Sequence, residues 1–342
     1  MRLYLVLVSL VLGCLLGTSS ACRGPQEAPE ESATAAAGSA ASSGPHEEAR
    51  PAGEDPSPLR FSGIPDSDKA KLTQMYAVVA DYLTTALGRS VTYVHVPDYT
   101  GAVTALAANK VDFVWLGGVT AVQAEARTRG QVEYVATREA DLKFRSYLVA
   151  NAAVVAQGRF SPAPQPLAPM PLADLAALRS GLAQSSFSFG AKSSTSGHIM
   201  PRYFLSSPAV GFDVDGGFRG RVNYQLQGGH RATLSAVASG AVDAGVLNYK
   251  TWEGADDETK RQAPVVYVTP EYVDYVVVAH DRMGVATIAA LRDALVSLDE
   301  AQPQHAAVLA AFSAKRFVAA DAAQWSGIRK VVQELTAAGA LN

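Results

Sequence analysis

Short apolar runs alternate with amphipathic stretches through residues 59–342. Leu59-Arg60-Phe61-Ser62-Gly63-Ile64 reads as a strand stopped by Pro65. From Lys69 to Leu87, apolar residues recur at helical spacing (Leu72, Met75, Tyr76, Val79, Tyr82, Leu83, Leu87), and Gly88 ends the run. The rhythm continues with a β-branched strand at Val91–Val96, a helix at Thr100–Asn109, a strand at Val111–Leu116 and a helix at Val119–Arg127. Val132–Ala136 and Ser146–Ala150 read as extended. Five prolines between Pro162 and Pro171 interrupt the alternation.

A second round follows. Strands are expected at Phe187–Gly190, Arg221–Leu226, Val242–Leu247, Val265–Val268 and Tyr275–Ala279. Helices are expected at Ile199–Leu205 (despite Pro201), Arg231–Ser239, Ile288–Leu298 and Gln324–Ala337. Strand–helix alternation of this kind predicts an α/β fold with mainly parallel sheets flanked by helices. At 342 residues the chain exceeds one compact core. The late elements need a sheet to join, which suggests two lobes: 59–150 plus 270–342, and 151–269. Two crossings between them are expected near 147–152 and 265–279.

The first 58 residues differ. Leu3–Leu16 is almost continuously apolar behind Arg2, and small residues lead to Cys22. That is an export signal, expected over residues 1–21. Cys22 then becomes the first mature residue and a candidate for lipidation, although Ser19 stands where a leucine is usual. Cys14 lies in the removed segment, so the mature chain is left with a single cysteine. Residues 22–58, rich in Ala, Glu, Ser, Gly and Pro, predict a disordered tether to a membrane anchor. Such a coil would span on the order of 30 Å.

Charge adds one exclusion. Three of the 29 bases and seven of the 32 acids lie in residues 1–58, leaving a body with 26 and 25. A near-neutral body argues against nucleic acid as a partner. The six histidines show no metal-ligand spacing, and no cofactor is expected.

Candidate chemistry lies in the loops that lead from strands into helices, where α/β sheets bind ligands. Phe189-Gly190-Ala191-Lys192-Ser193-Ser194-Thr195-Ser196-Gly197-His198 carries four hydroxyl side chains before a helix start. Helix N-termini offer free N–H groups to an anion. The loop can be an anion cradle, a capped helix with surplus serines, or the seat of a serine nucleophile. It contains neither a Gly-x-Ser-x-Gly elbow nor a nucleotide P-loop. Three further loops have the same strand-to-helix position: Pro97-Asp98-Tyr99-Thr100-Gly101, Trp115-Leu116-Gly117-Gly118-Val119-Thr120 and Gln227-Gly228-Gly229-His230-Arg231. Together they would line a cleft with donors.

On Val96-Pro97-Asp98-Tyr99, Ser194-Thr195-Ser196-Gly197, Gly229-His230 and Val242-Asp243-Ala244, the chain resembles the phosphonate/phosphite-type substrate-binding proteins of ABC importers. The resemblance covers nearly all of 59–342. It implies the two-lobed type 2 periplasmic-binding fold, closing on a small oxyanion without covalent chemistry, and an ABC permease and ATPase as partners. It also implies a ligand-binding set of Tyr99, Gly117, Gly118, Ser194, Thr195, Ser196, Gly197, His230, Arg231, Asn248 and Asp274. Asp274 matches a family pocket acid. Arg231 and Lys250 stand where aminophosphonate binders carry acids, which disfavours an amine and favours a compact dianion. Leu116 replaces a pocket tyrosine. With Asn248-Tyr249-Lys250-Thr251-Trp252-Glu253, this is similar to a subgroup assigned to selenate import. The expected protein is a monomeric, envelope-anchored binding lipoprotein. The alternatives are a sensory module serving a membrane receptor and a secreted hydrolase using Ser196 and His230.

Overall fold

The computed structural model describes residues 57–171, 175–225 and 229–341. The signal segment, Cys22 and nearly all of the tether lie outside the described residues.

The chain first lays down β1 (Leu59–Gly63), α1 (Lys69–Leu87), β2 (Val91–Tyr93), α2 (Tyr99–Ala107), β3 (Phe113–Leu116), α3 (Gly118–Arg127) and β4 (Val132–Arg138). It continues through β5 (Ser146–Ala150), α4 (Ala152–Ala156), α5 (Ala176–Ala183), β6 (Phe187–Phe189), α6 (Met200–Ser206) and β7 (Val222–Tyr224). Next come α7 (Gly229–Ala238), β8 (Ala244–Asn248), α8 (Tyr249–Glu253), α9 (Asp257–Gln262) and β9 (Val265–Val268). It ends with β10 (Val276–His280), α10 (Val285–Val296), α11 (Pro303–Ala311), β11 (Phe317–Ala319) and α12 (Ser326–Ala337).

Two sheets form, ordered β11-β4-β10-β3-β1-β2 and β7-β6-β8-β5-β9. Most strands in each run the same way. The exceptions are β10 and β11 in the first sheet and β5 in the second, which pair antiparallel with their neighbours. The reversed strands β5 and β10 are the ones entered directly after a crossing between sheets. Strands inside such sheets are covered on both faces and read as unbroken apolar runs. Every residue of β3, β5, β8, β9 and β10 is accordingly buried.

One boundary moves. Because β5 belongs to the second sheet, the chain leaves the first sheet after Arg138 rather than near 147–152. The crossings are 139–145 and 269–275, and they pair with each other. Phe144 and Tyr272 exchange backbone hydrogen bonds of 2.8 and 2.9 Å, and Asp274 N–H donates to the Asp141 carbonyl at 3.0 Å. Beneath them the Arg138 guanidinium grips Asp141 at 2.5 and 2.7 Å, donates to the Phe312 carbonyl, and lies over the Trp115 and Tyr275 rings.

The proline-rich stretch also has a role. Ala163 and Met170 donate to the carbonyls of Val265 and Val268, so the stretch runs along β9 and covers that sheet edge.

Candidate functional site

The predicted loops converge at the strand ends between the two sheets. Ser194 opens a wide turn over Thr195–Ile199 before α6 begins. Pro201 explains the widening. It has no N–H, and its ring would press on the carbonyl four residues back. That carbonyl, on Gly197, instead accepts from Gly190 N–H at 2.8 Å. The Ser194 hydroxyl accepts from Gly197 N–H at 3.0 Å. A hydroxyl that accepts still has its own proton to donate.

Thr195 reaches across to the other sheet. Its Oγ1 accepts from Val119 N–H at 3.0 Å, while Gly118 N–H donates to Asp274 Oδ1 at 2.9 Å. Gly117 permits this approach, since a Cβ there would sit 3.0 Å from Thr195 Oγ1 and 3.2 Å from Asp274 Oδ1. Gly197 does the same on the other wall, where a Cβ would lie 2.9 Å from Ser194 Oγ and 3.1 Å from His230 Cε1. Tyr99, at the start of α2, is buried with its hydroxyl interacting with Ser194.

Two buried side chains of this cluster carry polar atoms with no partner among the described residues. Asp274 is 1% exposed, and its Oδ2 has no partner among the described residues. Burial pushes its carboxyl up to about 7, opposed by the Gly118 hydrogen bond. His230 is 2% exposed, and burial holds it down to about 4, so its ring is neutral near pH 7. Its Nδ1 accepts from Asn248 N–H at 3.3 Å, which leaves the proton on Nε2. That Nε2–H is an unpartnered buried donor. His198 has the opposite tautomer: its Nδ1 donates to the Lys192 carbonyl at 2.8 Å, on the far side of the loop.

Some predicted residues have other positions. Arg231 is exposed and stands at the rim of an adjoining crevice, because the first turn of α7 turns it away from buried His230. Asn248 uses its Oδ1 to cap α8 through Thr251 N–H. The Ser196 carbonyl accepts from Ser146 Oγ, and its side chain lies near the Tyr272 hydroxyl at the crossing. Ser196 is not hydrogen-bonded to His230, so no nucleophile–base pair is built.

Sequence reasoning missed Asp66, Tyr275 and the role of Gly229. Asp66 follows β1 in the same strand-to-helix position as the other loops, and Asp68 caps α1, so Pro65-Asp66-Ser67-Asp68 carried a readable signal. Tyr275 donates to Asp66 Oδ2 at 2.9 Å. Gly229 has φ +53°, and a Cβ there would stand 2.2 Å from the Asp66 carbonyl on the opposite lobe.

Residues 61–325 match the family model described as ABC transporter, phosphonate, periplasmic substrate-binding protein. The chain belongs to this family of phosphonate ABC-transporter binding proteins. It is therefore a binding protein and not an enzyme, works outside the cytoplasm, and serves a permease and its ATPase. The probable ABC transporter phosphite binding protein PhnD1 of Prochlorococcus marinus (strain MIT 9301) is 32% identical over 292 residues, covering 83% of this chain and 92% of the relative. The structure of PhnD1 in complex with methylphosphonate superposes with a TM-score of 0.71 at 31% identity, covering 82% of this chain and 99% of that one. A binding-protein component of an ABC phosphonate transporter from Pseudomonas aeruginosa shares the fold, with a TM-score of 0.65 at 22% identity, over 80% of this chain and 84% of that one.

Proposed function

We propose that this protein captures phosphite or a small phosphonate between its lobes and hands it to the permease, from a lipid anchor on Cys22. In this reading Ser194, Thr195, Tyr99 and His230 Nε2–H donate to the oxyanion, helped by N–H groups at the start of the turn after Ser194, while the first N–H groups of α3 hold Asp274 and Thr195 in place. Arg231, expected in this cage, is left out of it. The observation that carries the reading is the pair of buried, unpartnered atoms, His230 Nε2 and Asp274 Oδ2, in the same interlobe cluster as the Ser194–Gly197 loop. The relative's phosphite name and methylphosphonate complex agree with it.

Asp274 argues on ligand choice. An ion without a proton near neutral pH, such as sulfate or selenate, meets a carboxyl that must itself be protonated to receive it. Phosphite or a phosphonate can supply the proton, which counts against the selenate alternative. The lobes would close by hinge motion at 139–145 and 269–275.

Calorimetry on the mature chain tests this. Phosphite and methylphosphonate should bind, with sulfate and selenate at least about tenfold weaker. Ser194→Ala and Thr195→Ala should each weaken methylphosphonate about ten- to hundredfold, the loss expected for hydrogen bonds to a charged group. Unchanged affinity in both would remove the loop from the site. Cys22→Ser should release the protein from the membrane fraction; continued membrane association would argue against the anchor.

A further inference from the structure

Next to the cage, and lined by none of the cage's own residues, lies a crevice of about 490 Å³. One wall is α1 and α11 of the first lobe, and the other is the starts of α7 and α8 of the second. The crevice adjoins the cage. Asn248 lines it and donates to His230, Tyr275 and Asp66 line it and bond to each other, and Gly229, next to His230, packs on the Asp66 carbonyl. A bare oxyanion of four or five heavy atoms needs only about 100–150 Å³, taking the ~30 Å³ share of one water per atom. The crevice is within the range used by organic ligands.

Its charge is one-sided. Lys71, Arg138, Arg231 and Lys250 line it, against the single acid Asp66. Arg138 is already engaged by Asp141. Lys250 Nζ has one hydrogen bond, to the Ser313 carbonyl across the cleft at 3.0 Å. Neither Lys250 nor Arg231 forms an ion pair among the described residues. Asp66 is held by the Tyr275 hydroxyl, and burial raises its pKa, which weakens it as a counter-charge.

We propose that this crevice is a subsite for the organic substituent of a phosphonate, and that it selects a substituent carrying its own negative charge, such as a carboxylate. The proposal rests on the reading of the cage as an oxyanion site. Lys250 and Arg231 face the distal group from the second lobe, and Lys71 faces it from the first. An ammonium substituent would meet three cations and one acid that already has a donor, so like-charge repulsion excludes it.

Calorimetry on the mature chain, in one buffer, compares phosphite, methylphosphonate, 3-phosphonopropionate and 2-aminoethylphosphonate. The carboxylated ligand is expected to bind at least about tenfold tighter than the aminated one. In Arg231→Gln with Lys250→Met that ratio should fall to within about threefold. Arg231→Gln alone, at an exposed side chain, should lower it part-way and guards against a folding defect. Equal or tighter binding of the aminated ligand, or a ratio that survives the double substitution, overturns the subsite. Methylphosphonate binding without 3-phosphonopropionate binding also overturns it while leaving the cage intact. Silence toward both phosphite and methylphosphonate overturns the cage itself.

Discussion

The two sides of the interlobe cleft are built differently. On one side α3 meets the Ser194–Gly197 loop through the Val119–Thr195 hydrogen bond, and α12 packs against both α3 and α6, with Tyr203 beside Glu334. That side is rich in hydroxyls and N–H groups, with the Asp274 carboxyl among them. On the other side α1 and α11 face α7 and α8 across a crevice lined by lysine and arginine, bridged by Lys250 and by the Gly229–Asp66 contact. The difference separates two tasks. Short, fixed dipoles can hold an anion in a dry cage without the desolvation cost of a buried cation. Long, solvated cations suit the mouth, where they attract and sort what enters.

The largest test props the open side apart. Gly229→Ala adds a Cβ 2.2 Å from backbone of the opposite lobe at a positive φ. We predict a loss of methylphosphonate affinity beyond about a hundredfold, with a fall in Tm of only a few degrees, as expected for about 1–2 kcal/mol of local strain. A Tm loss matching global unfolding, or full affinity, would show that this contact does not set closure. Gly117→Ala should act in the same direction on the sealed side but less strongly, because its neighbours are side-chain atoms at 3.0 and 3.2 Å.

Protons should separate the sides next. Asp274 on the sealed side titrates near 7, so anion affinity should fall as pH rises from 6 to 8, by up to about tenfold per unit above its pKa. Asp274→Asn should flatten that dependence; an unchanged profile would take Asp274 out of the site. The same groups oppose one another in stability. A carboxyl with a raised folded pKa stabilises below about pH 4 and loses that contribution as pH climbs to about 7. His198 and His230, held down to about 4, act the other way, destabilising the fold as pH falls from 6.5 toward 4. In Asp274→Asn the acid limb of a Tm–pH curve should therefore be steeper than in the native protein.

The smallest effect belongs to the mouth. Lys71→Ala removes an exposed cation. It should slow association about two- to threefold at low salt and have no effect once the Debye length is near 3 Å at 1 M. With methylphosphonate, which has no group to reach the crevice, a salt-independent loss would place Lys71 against the cage itself.

Local patterning carried most of the architecture. Buried strands such as Phe113–Leu116 and the helix Lys69–Leu87 were legible because a short β-branched and aromatic run closed by glycines suits a buried strand, and a 3.6-residue repeat over about five turns suits only a helix. The short β11 and the alanine-rich α11 were not, because three residues or a run of small apolar ones carry no period. Phe317 declares itself only by packing against Trp115 and Phe312. The Ser194–Gly197 loop and His230 were found as motifs, since free helix starts are local features. Their meeting with Asp274 across two sheets is not local, and only the chain's double crossing brings them together. Asp274 could have capped a turn of its own segment; instead it accepts from Gly118 N–H at the start of α3, with its other oxygen unpartnered among the described residues. Arg231 shows the opposite limit. Sequence put it beside His230, and one residue along a helix is about 100° of rotation, enough to move a side chain from the cage to the rim. Sequence by itself determined the elements and the chemistry that each loop carries, because those depend on neighbours along the chain. Tertiary structure alone decided which loops share a site, which side of the cleft is sealed and where the charges face, because those depend on contacts between segments far apart in sequence.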